Sequence, residues 1–364
     1  MIADTRELIA KLAENATATR EELAALLSCD DSAAKDLFAA ADQVRARAAG
    51  DEVHLRGLIE FSNYCRRSCL YCGLRRENRS LSRYRMAPDE IVECSIGAAE
   101  LGYRTVVLQS GEDSWYGAEV LAEVVREIKR RARVAVTLSI GERPEGEYRL
   151  LRAAGADRFL LRMEVSSPIR YAQFHPDSDW DERLKCLEAV RTAHVQVGSG
   201  TLIGLPGHGV GTLSEDLLFL QSLDLDMIGV GPFIPHPATP LAGERGGTLG
   251  LALRFLACLR LLCPLALIPA TTAFAALDPS GWERGLAAGA DVLMPNVTPL
   301  KYRDQYDLYP GKVWSRAEPA VFRREVVDIV ERLGRRVSEG PGHTRLRREA
   351  VGSGSRTAEG VRRS

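Results

Sequence analysis

The chain has 364 residues, 45% hydrophobic and 27% charged, which suffices for one large core or two ordinary domains and excludes a wholly disordered or fibrous protein. Its 48 Lys and Arg against 49 Asp and Glu leave a net charge of −1, so no global field draws it to nucleic acid or an anionic membrane. The opening MIADTRELIAKLAEN lacks the apolar stretch of a secretory signal and no apolar run approaches a membrane span, so a cytoplasmic protein with reduced cysteines is expected.

Residues 1–50 read as a helical extension rich in Ala, Leu and Glu, with Thr19 and Glu22 spaced as a capping box. From residue 51 short apolar strands alternate with amphipathic helices. VHLRGLIEF runs into a cysteine-bearing loop, and a helix from about Pro88 to Leu101 leads to TVVLQ. VAVTLS, DRFLLRME, QVGSGTLIG, DMIGVGPF, LALIPATT and DVLMPN then each follow a helical stretch, and a last helix is expected near Phe322 to Gly334. Eight alternations predict an α/β fold, a (β/α)8 TIM barrel over residues 51–340, with an open doubly wound sheet as runner-up. The glycines form no dinucleotide fingerprint. Beyond about Gly340 apolar periodicity stops, so residues 341–364 read as a disordered tail.

Cys65, Cys69 and Cys72 stand as C-x3-C-x2-C. A structural zinc site closes four ligands around its ion, and no fourth Cys or His stands nearby. Three thiolates suit a four-iron, four-sulfur cluster with one iron left open. Cys29, Cys94, Cys186, Cys258 and Cys263 fall in helical stretches and read as small buried hydrophobes.

Several strands carry polar residues at alternate positions, which share one face. Arg158, Leu160, Arg162 and Glu164 alternate in DRFLLRME, Thr137 and Ser139 share a face with Ala135, and other strands end in Gln109 and Ser110 or Thr271 and Thr272. Buried charges are costly unless paired or ligand-bound, so the pattern points to a polar cavity for an anion, or else to a mutual network of Arg158, Arg162 and Glu164. Arg183, early in a helix, reads alone as a solvated surface residue. His175 and His236 lie in loops and receive no role. Met227 and Met294, near strand ends, read first as packing.

With the aromatic Tyr71 before its third cysteine, the loop resembles the signature of the radical S-adenosylmethionine (SAM) superfamily, and the likeness runs from about Val53 to Gly334. CLYCGLRRENRSLSRYR, VVLQSGED, VTLSIGE, AGADRFLLRME, GTLIGLPG, MIGVGPFIPHPATPLA, IPATTA, MPNVTP and QYDLYPGK together resemble the HydE family, radical maturases that help to build the active-site cluster of FeFe-hydrogenase. The resemblance implies that Cys65, Cys69 and Cys72 hold one four-iron cluster whose open iron is chelated by SAM. It matches Glu164 and Arg183 to positions at the cofactor's ribose and carboxylate. Ser110, Thr137, Ser139, Arg162, Thr271, Thr272 and Tyr309 match positions lining the barrel cavity. Of these, Ser110, Thr137 and Ser139, with Gln109, are assigned to the cofactor. Arg162, Thr271 and Thr272, with Arg158, Tyr306, Met227 and Met294, are assigned to substrate, and Tyr309 is the catalytic candidate. GKVWSRAEPAVFRREVV has no cysteine, so the second cluster of some relatives is expected to be absent. Met163 stands where some relatives carry a polar residue.

The implied reaction takes an electron from a ferredoxin or flavodoxin and cleaves SAM to methionine and a 5′-deoxyadenosyl radical. The radical attacks a sulfur-containing, cysteine-ligated iron carbonyl cyanide complex delivered by a partner maturase. An organic, amino-acid-like substrate, as for methylornithine synthase or biotin synthase, is one alternative, and an iron carrier without radical chemistry is another. A monomer is expected, since no exposed heptad is evident.

Overall fold

A computed structural model of the protein describes residues 4–311 and 318–346. Three helices come first: α1 (Thr5–Asn15), α2 (Arg20–Leu27) and α3 (Asp31–Ala49). The capping box is present, Thr19 accepting from the Glu22 N–H while the Glu22 carboxylate accepts from the Thr19 N–H.

The alternation then runs β1 (Glu52–Ser62), α4 (Pro88–Glu100), β2 (Thr105–Ser110), α5 (Ala118–Arg131), β3 (Ala135–Ser139), α6 (Glu145–Ala153) and β4 (Arg158–Leu160). It continues through α7 (Pro168–Phe174), α8 (Trp180–Thr192), β5 (Gln196–Ile203), α9 (Val210–Ser222), β6 (Met227–Pro232), α10 (Leu249–Leu262) and β7 (Pro269–Ala270). α11 (Thr272–Leu277), α12 (Gly281–Ala287), β8 (Val292–Leu293), α13 (Leu300–Arg303), α14 (Pro319–Arg332) and β9 (Arg336–Val337) complete it.

All neighbours are parallel. β1 pairs with β2 (Glu60 opposite Gln109) and with β8 (His54 opposite Val292), which closes β1–β8 into a barrel and removes the open-sheet alternative. β9 adds to the start of β1. The outer helices bury one stripe each. In α5, Leu121, Val124, Val125 and Ile128 face inward, each stabilising by about 1.5–3 kcal/mol, while Lys129, Arg130 and Arg131 suit the negative end of the helix dipole. α2 packs on α9 and α3 on α10, so the N-terminal extension shares one hydrophobic core with the barrel. No helix among the described residues is long and apolar enough to cross a membrane.

The described end of the chain differs from the expected tail. Residues 341–346 lie across the N-terminal ends of the strands. Pro341 O accepts from Thr105 Oγ1 at 2.8 Å and Arg158 Nη2 at 2.6 Å, and Gly342 O accepts from Arg158 Nη2 at 2.8 Å. The physical reason lies in Arg158, a fully buried cation that needs acceptors, which these carbonyls supply. Residues 347–364 lie outside the described part of the chain.

A buried ion triad locks the same end. Asp291 accepts from Arg345 Nη1 at 2.7 Å, stands 3.1 Å from Arg260 Nη2, and accepts from the Ile268 N–H at 2.8 Å. Burial works against its charge, but the two arginines hold its carboxyl below the usual range. Asp291→Ala should therefore destabilise the fold by roughly 3–5 kcal/mol, because Arg260 is left buried without its anion. Urea unfolding checks this, and a loss under about 1 kcal/mol would contradict it.

Candidate functional site

The C-terminal ends of the strands surround a cavity of about 310 Å³. One wall is the cysteine loop, residues 63–87 between β1 and α4. Its course is set by polar staples. Asn63 donates to Ser82 O and Gln305 O, both at 2.7 Å, and accepts from the Tyr84 N–H at 2.8 Å. The Arg83 guanidinium donates to the carbonyls of Asn63, Leu74, Arg75 and Asn78. Gly111, at the end of β2, packs so closely that a Cβ there would lie 2.2 Å from Tyr64 O and 2.7 Å from Cys65 Cβ.

Cys65, Cys69 and Cys72 all line the cavity. Cys65 Sγ accepts from the N–H groups of Arg67 at 3.4 Å and Glu112 at 3.3 Å. Burial pushes all three thiols up, Cys72 to about 12, so metal entry must displace protons. Among the described residues no trio of His, Cys, Asp or Glu could hold a single metal ion. Three thiols that line one wall without a fourth side chain fit a multi-iron cluster better than a zinc ion.

Behind the loop runs a chain of buried charges. Arg67 donates to Glu112 at 2.9 Å and to Asp177 O at 2.5 Å, and it pairs with Glu142. Glu142 accepts from Arg183 Nη1 at 2.8 Å, and Arg183 Nε donates to Arg162 O at 2.6 Å. Although burial works against its charge, Tyr171 and Glu142 hold the Arg183 guanidinium well above its usual range. Arg183 is thus no solvated surface residue.

Glu164 closes the ring. Its φ of 68° is left-handed backbone, unusual for a residue with a side chain, and is held by its N–H on Gly200 O at 2.9 Å and its carbonyl taking the Leu202 N–H at 3.1 Å. Its Oε2 forms an ion pair with Arg162 Nη2 at 2.9 Å. Burial pushes the carboxyl up against the pull of Arg162 and Arg183. A buried carboxylate on the cavity wall that is paired with Arg162 can also accept from a ligand hydroxyl or ammonium, as SAM would supply.

The remaining predicted residues divide. Gln109 donates to Tyr306 Oη at 3.2 Å, Ser110 Oγ donates to Gly111 O at 2.6 Å, and Thr137 and Ser139 line the same cavity. Thr272 Oγ1 and Tyr309 Oη lie 2.6 Å apart, and Thr271 Oγ1 donates to Val230 O at 3.1 Å. Met227 and Met294 also line the wall. Arg158 is not on it, since its guanidinium points to the closed end of the barrel.

Sequence reasoning missed Arg56 and Glu60, which alternate with Leu58 in β1 and line the cavity. The alternation rule applied to DRFLLRME would have found them in VHLRGLIEF. It also missed His175. The His175 Nδ1 must carry a proton, since it lies 2.9 Å from Tyr171 O, so Nε2 accepts from Tyr71 O–H at 2.8 Å. Burial pushes His175 down to about 3, which keeps it neutral behind the cysteine loop.

The description "Radical SAM superfamily" matches residues 59–220. The chain is 47% identical over 332 residues to the FeFe hydrogenase maturase subunit HydE of Thermotoga maritima, covering 91% of this chain and 95% of that protein. It is 27% identical over 303 residues to 3-methylornithine synthase of Methanosarcina acetivorans, covering 82% and 85%. Among solved structures, a methylornithine synthase superposes with a TM-score of 0.80 at 26% identity, covering 91% of this chain and 97% of that one. HydG, described as a maturase of FeFe-hydrogenase, superposes with a TM-score of 0.79 at 19% identity, covering 93% and 77%, a likeness of fold.

Gly111→Ala should push the cysteine loop away from β2, costing about 1–3 kcal/mol of stability and lowering the iron taken up on anaerobic reconstitution. Iron analysis with circular dichroism as the folding control checks this, and native iron uptake would contradict it.

Proposed function

The chain belongs to the radical SAM superfamily and, within it, to the HydE family, and from that membership we propose that its substrate is a sulfur-containing, cysteine-ligated iron carbonyl cyanide complex on the path to the FeFe-hydrogenase active site. It is a radical SAM enzyme with a maturase role. The family implies a four-iron cluster and SAM, and we assign one cluster per chain to Cys65, Cys69 and Cys72. Bound there, the pair supplies reductive cleavage of the cofactor's sulfonium, and with it a carbon radical.

The chain's own residues bind, orient and exclude water. Glu164 offers its carboxylate to a cofactor hydroxyl or ammonium, and Arg183, held charged, sets a positive field against a carboxylate. Thr137, Ser139, Gln109 and Ser110 complete the cofactor side of the wall. On the substrate side, Thr271, Thr272 and Tyr306 add polar wall, while Met227 and Met294 present thioethers. Arg162 and Arg56 bring guanidinium groups, and Arg56 donates to Met227 Sδ at 2.9 Å and Gly342 O at 3.4 Å. Arg162 favours an anionic complex, while Arg56 lies toward the closed end beside Arg158, where burial and that neighbouring cation work against its charge. Tyr309, pushed to about 12 by burial, keeps its phenolic proton at neutral pH and can donate it at the substrate. The reading further includes delivery of substrate by other maturases, reduction by a ferredoxin or flavodoxin, and action as a cytoplasmic monomer.

The observation that carries this reading is that the three thiols and the Glu164 carboxylate line one cavity. A second reading, an amino-acid-like substrate, is favoured by the likeness to methylornithine synthase, since the same guanidinium groups would take a carboxylate.

Anaerobically reconstituted, dithionite-reduced protein should cleave SAM to 5′-deoxyadenosine, and Cys69→Ala should abolish both cluster and cleavage. A loaded cluster that never cleaves SAM would instead favour an iron carrier. Glu164→Gln should weaken SAM binding about tenfold or more, the scale of one hydrogen bond to a charged group. Equilibrium titration checks this, and native affinity would remove Glu164 from the cofactor site.

A further inference from the structure

We infer that the outer, arginine-bearing rim of the cysteine loop, with Trp115 beside it, is the docking surface for a small acidic electron-transfer protein. This rests on the reading that the loop carries a reducible cluster, and it adds where the electron enters.

Residues 64–86 hold seven arginines against one glutamate, in a chain whose net charge is −1. Part of that excess is consumed inside. Arg67 pairs with Glu112 and Glu142, Arg85 with Asp113 at 2.7 Å, and Arg83 spans backbone carbonyls. The carboxylates that neutralise them are buried, so they contribute little to the outer surface. Three arginines face solvent: Arg66, 54% exposed and paired with Glu112 at 2.5 Å; Arg76, 59% exposed and 3.2 Å from Glu77; and Arg79, which is exposed as well. Glu77, which follows Arg75 and Arg76 and pairs with both at 3.2 Å, is the single acid of the stretch.

Apolar anchors accompany the charge. Among the described residues the most exposed large hydrophobics are Ile169 at 77% and Trp115 at 55%. Both stand on segments bonded to this loop. Trp115 follows β2 in the turn where Glu112 O accepts the Arg66 N–H at 3.0 Å, and α7, which carries Ile169, accepts the Leu70 N–H at Phe174 O at 2.9 Å. The Arg85 guanidinium lies 5.5 Å from the Trp115 ring centroid. Exposed tryptophan among arginines is the composition of interface anchors.

The inner side of the loop faces the cavity that cofactor and substrate must fill, so a protein donor has to approach from outside. Transfer is one electron: the donor is oxidised by one, the centre held by the loop is reduced by one, and no bond forms or breaks. Such encounters use small interfaces steered by charge.

The test uses the cluster-loaded protein, Arg79→Glu alone, the pair Arg76→Glu and Arg79→Glu, and Trp115→Ala, with a purified acidic flavodoxin as probe. Calorimetric titration at low salt should give an affinity that falls with added salt in the native protein and falls about tenfold in the paired variant. Flavodoxin-driven SAM cleavage should slow in parallel, while dithionite-driven cleavage stays native. Unchanged flavodoxin affinity and rate would overturn the proposal. Equal slowing with dithionite would also overturn it, because the arginines would then be serving the loop itself. If native protein cleaves SAM with neither reductant, the enzymatic reading fails, and the titration still decides the docking surface.

Discussion

Four side chains of alternating charge, Glu112, Arg67, Glu142 and Arg183, tie the cysteine loop to the ends of β2 and β3 and to α8. The rest of the site depends on them. Glu112 also offers its N–H to Cys65 Sγ, and Arg183 grips the Arg162 carbonyl two residues before Glu164. One run of ion pairs therefore sets the thiol wall against the carboxylate that faces it. Taking such charges out of water costs several kcal/mol per ion, recovered only when each is met by opposite charge and hydrogen bonds. Here the partners come from different loops, so the energy that satisfies the charges also fixes the loops relative to one another.

The barrel gives this arrangement a frame and treats its two ends differently. At the C-terminal ends of the strands polar side chains are left facing a cavity, and one of them, Glu164, is held in left-handed backbone with its carboxylate against Arg162. At the other end the chain closes on itself: Pro341 and Gly342 carbonyls meet Arg158, and Arg345 meets Asp291. The buried arginines are met there by backbone and side chains from the end of the chain. Cavity-facing polarity thus remains on the side where ligands enter, as expected of a barrel that acts on a substrate.

Much of this was legible in the sequence. The periods of 2 and 3.6 residues located the strands and helices, because each must bury one face against the next layer. Spacing singled out Cys65, Cys69 and Cys72, and the family resemblance pointed to Glu164 and Arg183. The misplacement of Arg158 has a simple cause. Alternation tells which face of a strand points into the barrel, but the height within the barrel follows from position along the strand, and Arg158 is the first residue of β4. DRFLLRME is a strand only over Arg158–Leu160, and the chain meets β5 again at Glu164, which bridges to Thr201 with a φ of 68°. Nor could composition reveal that residues 341–346 pack, since what orders them is the need of Arg158 and Asp291 for partners far away in sequence. His175 reads as an ordinary loop histidine until the fold sets it behind Tyr71.

The most direct test of the central claim is the electron paramagnetic resonance spectrum of the reduced, cluster-loaded protein with and without SAM, for the native chain and for Glu142→Gln. An open iron that gains cofactor ligands must change its spectrum, so the native signal should shift when SAM is added. Glu142→Gln keeps all three cysteines but breaks the link between Arg67 and Arg183. It should still take up a cluster, yet show a weaker shift at the same SAM concentration. A full native shift in Glu142→Gln would contradict the claim that this run of charges sets the cysteine loop against the Glu164 carboxylate.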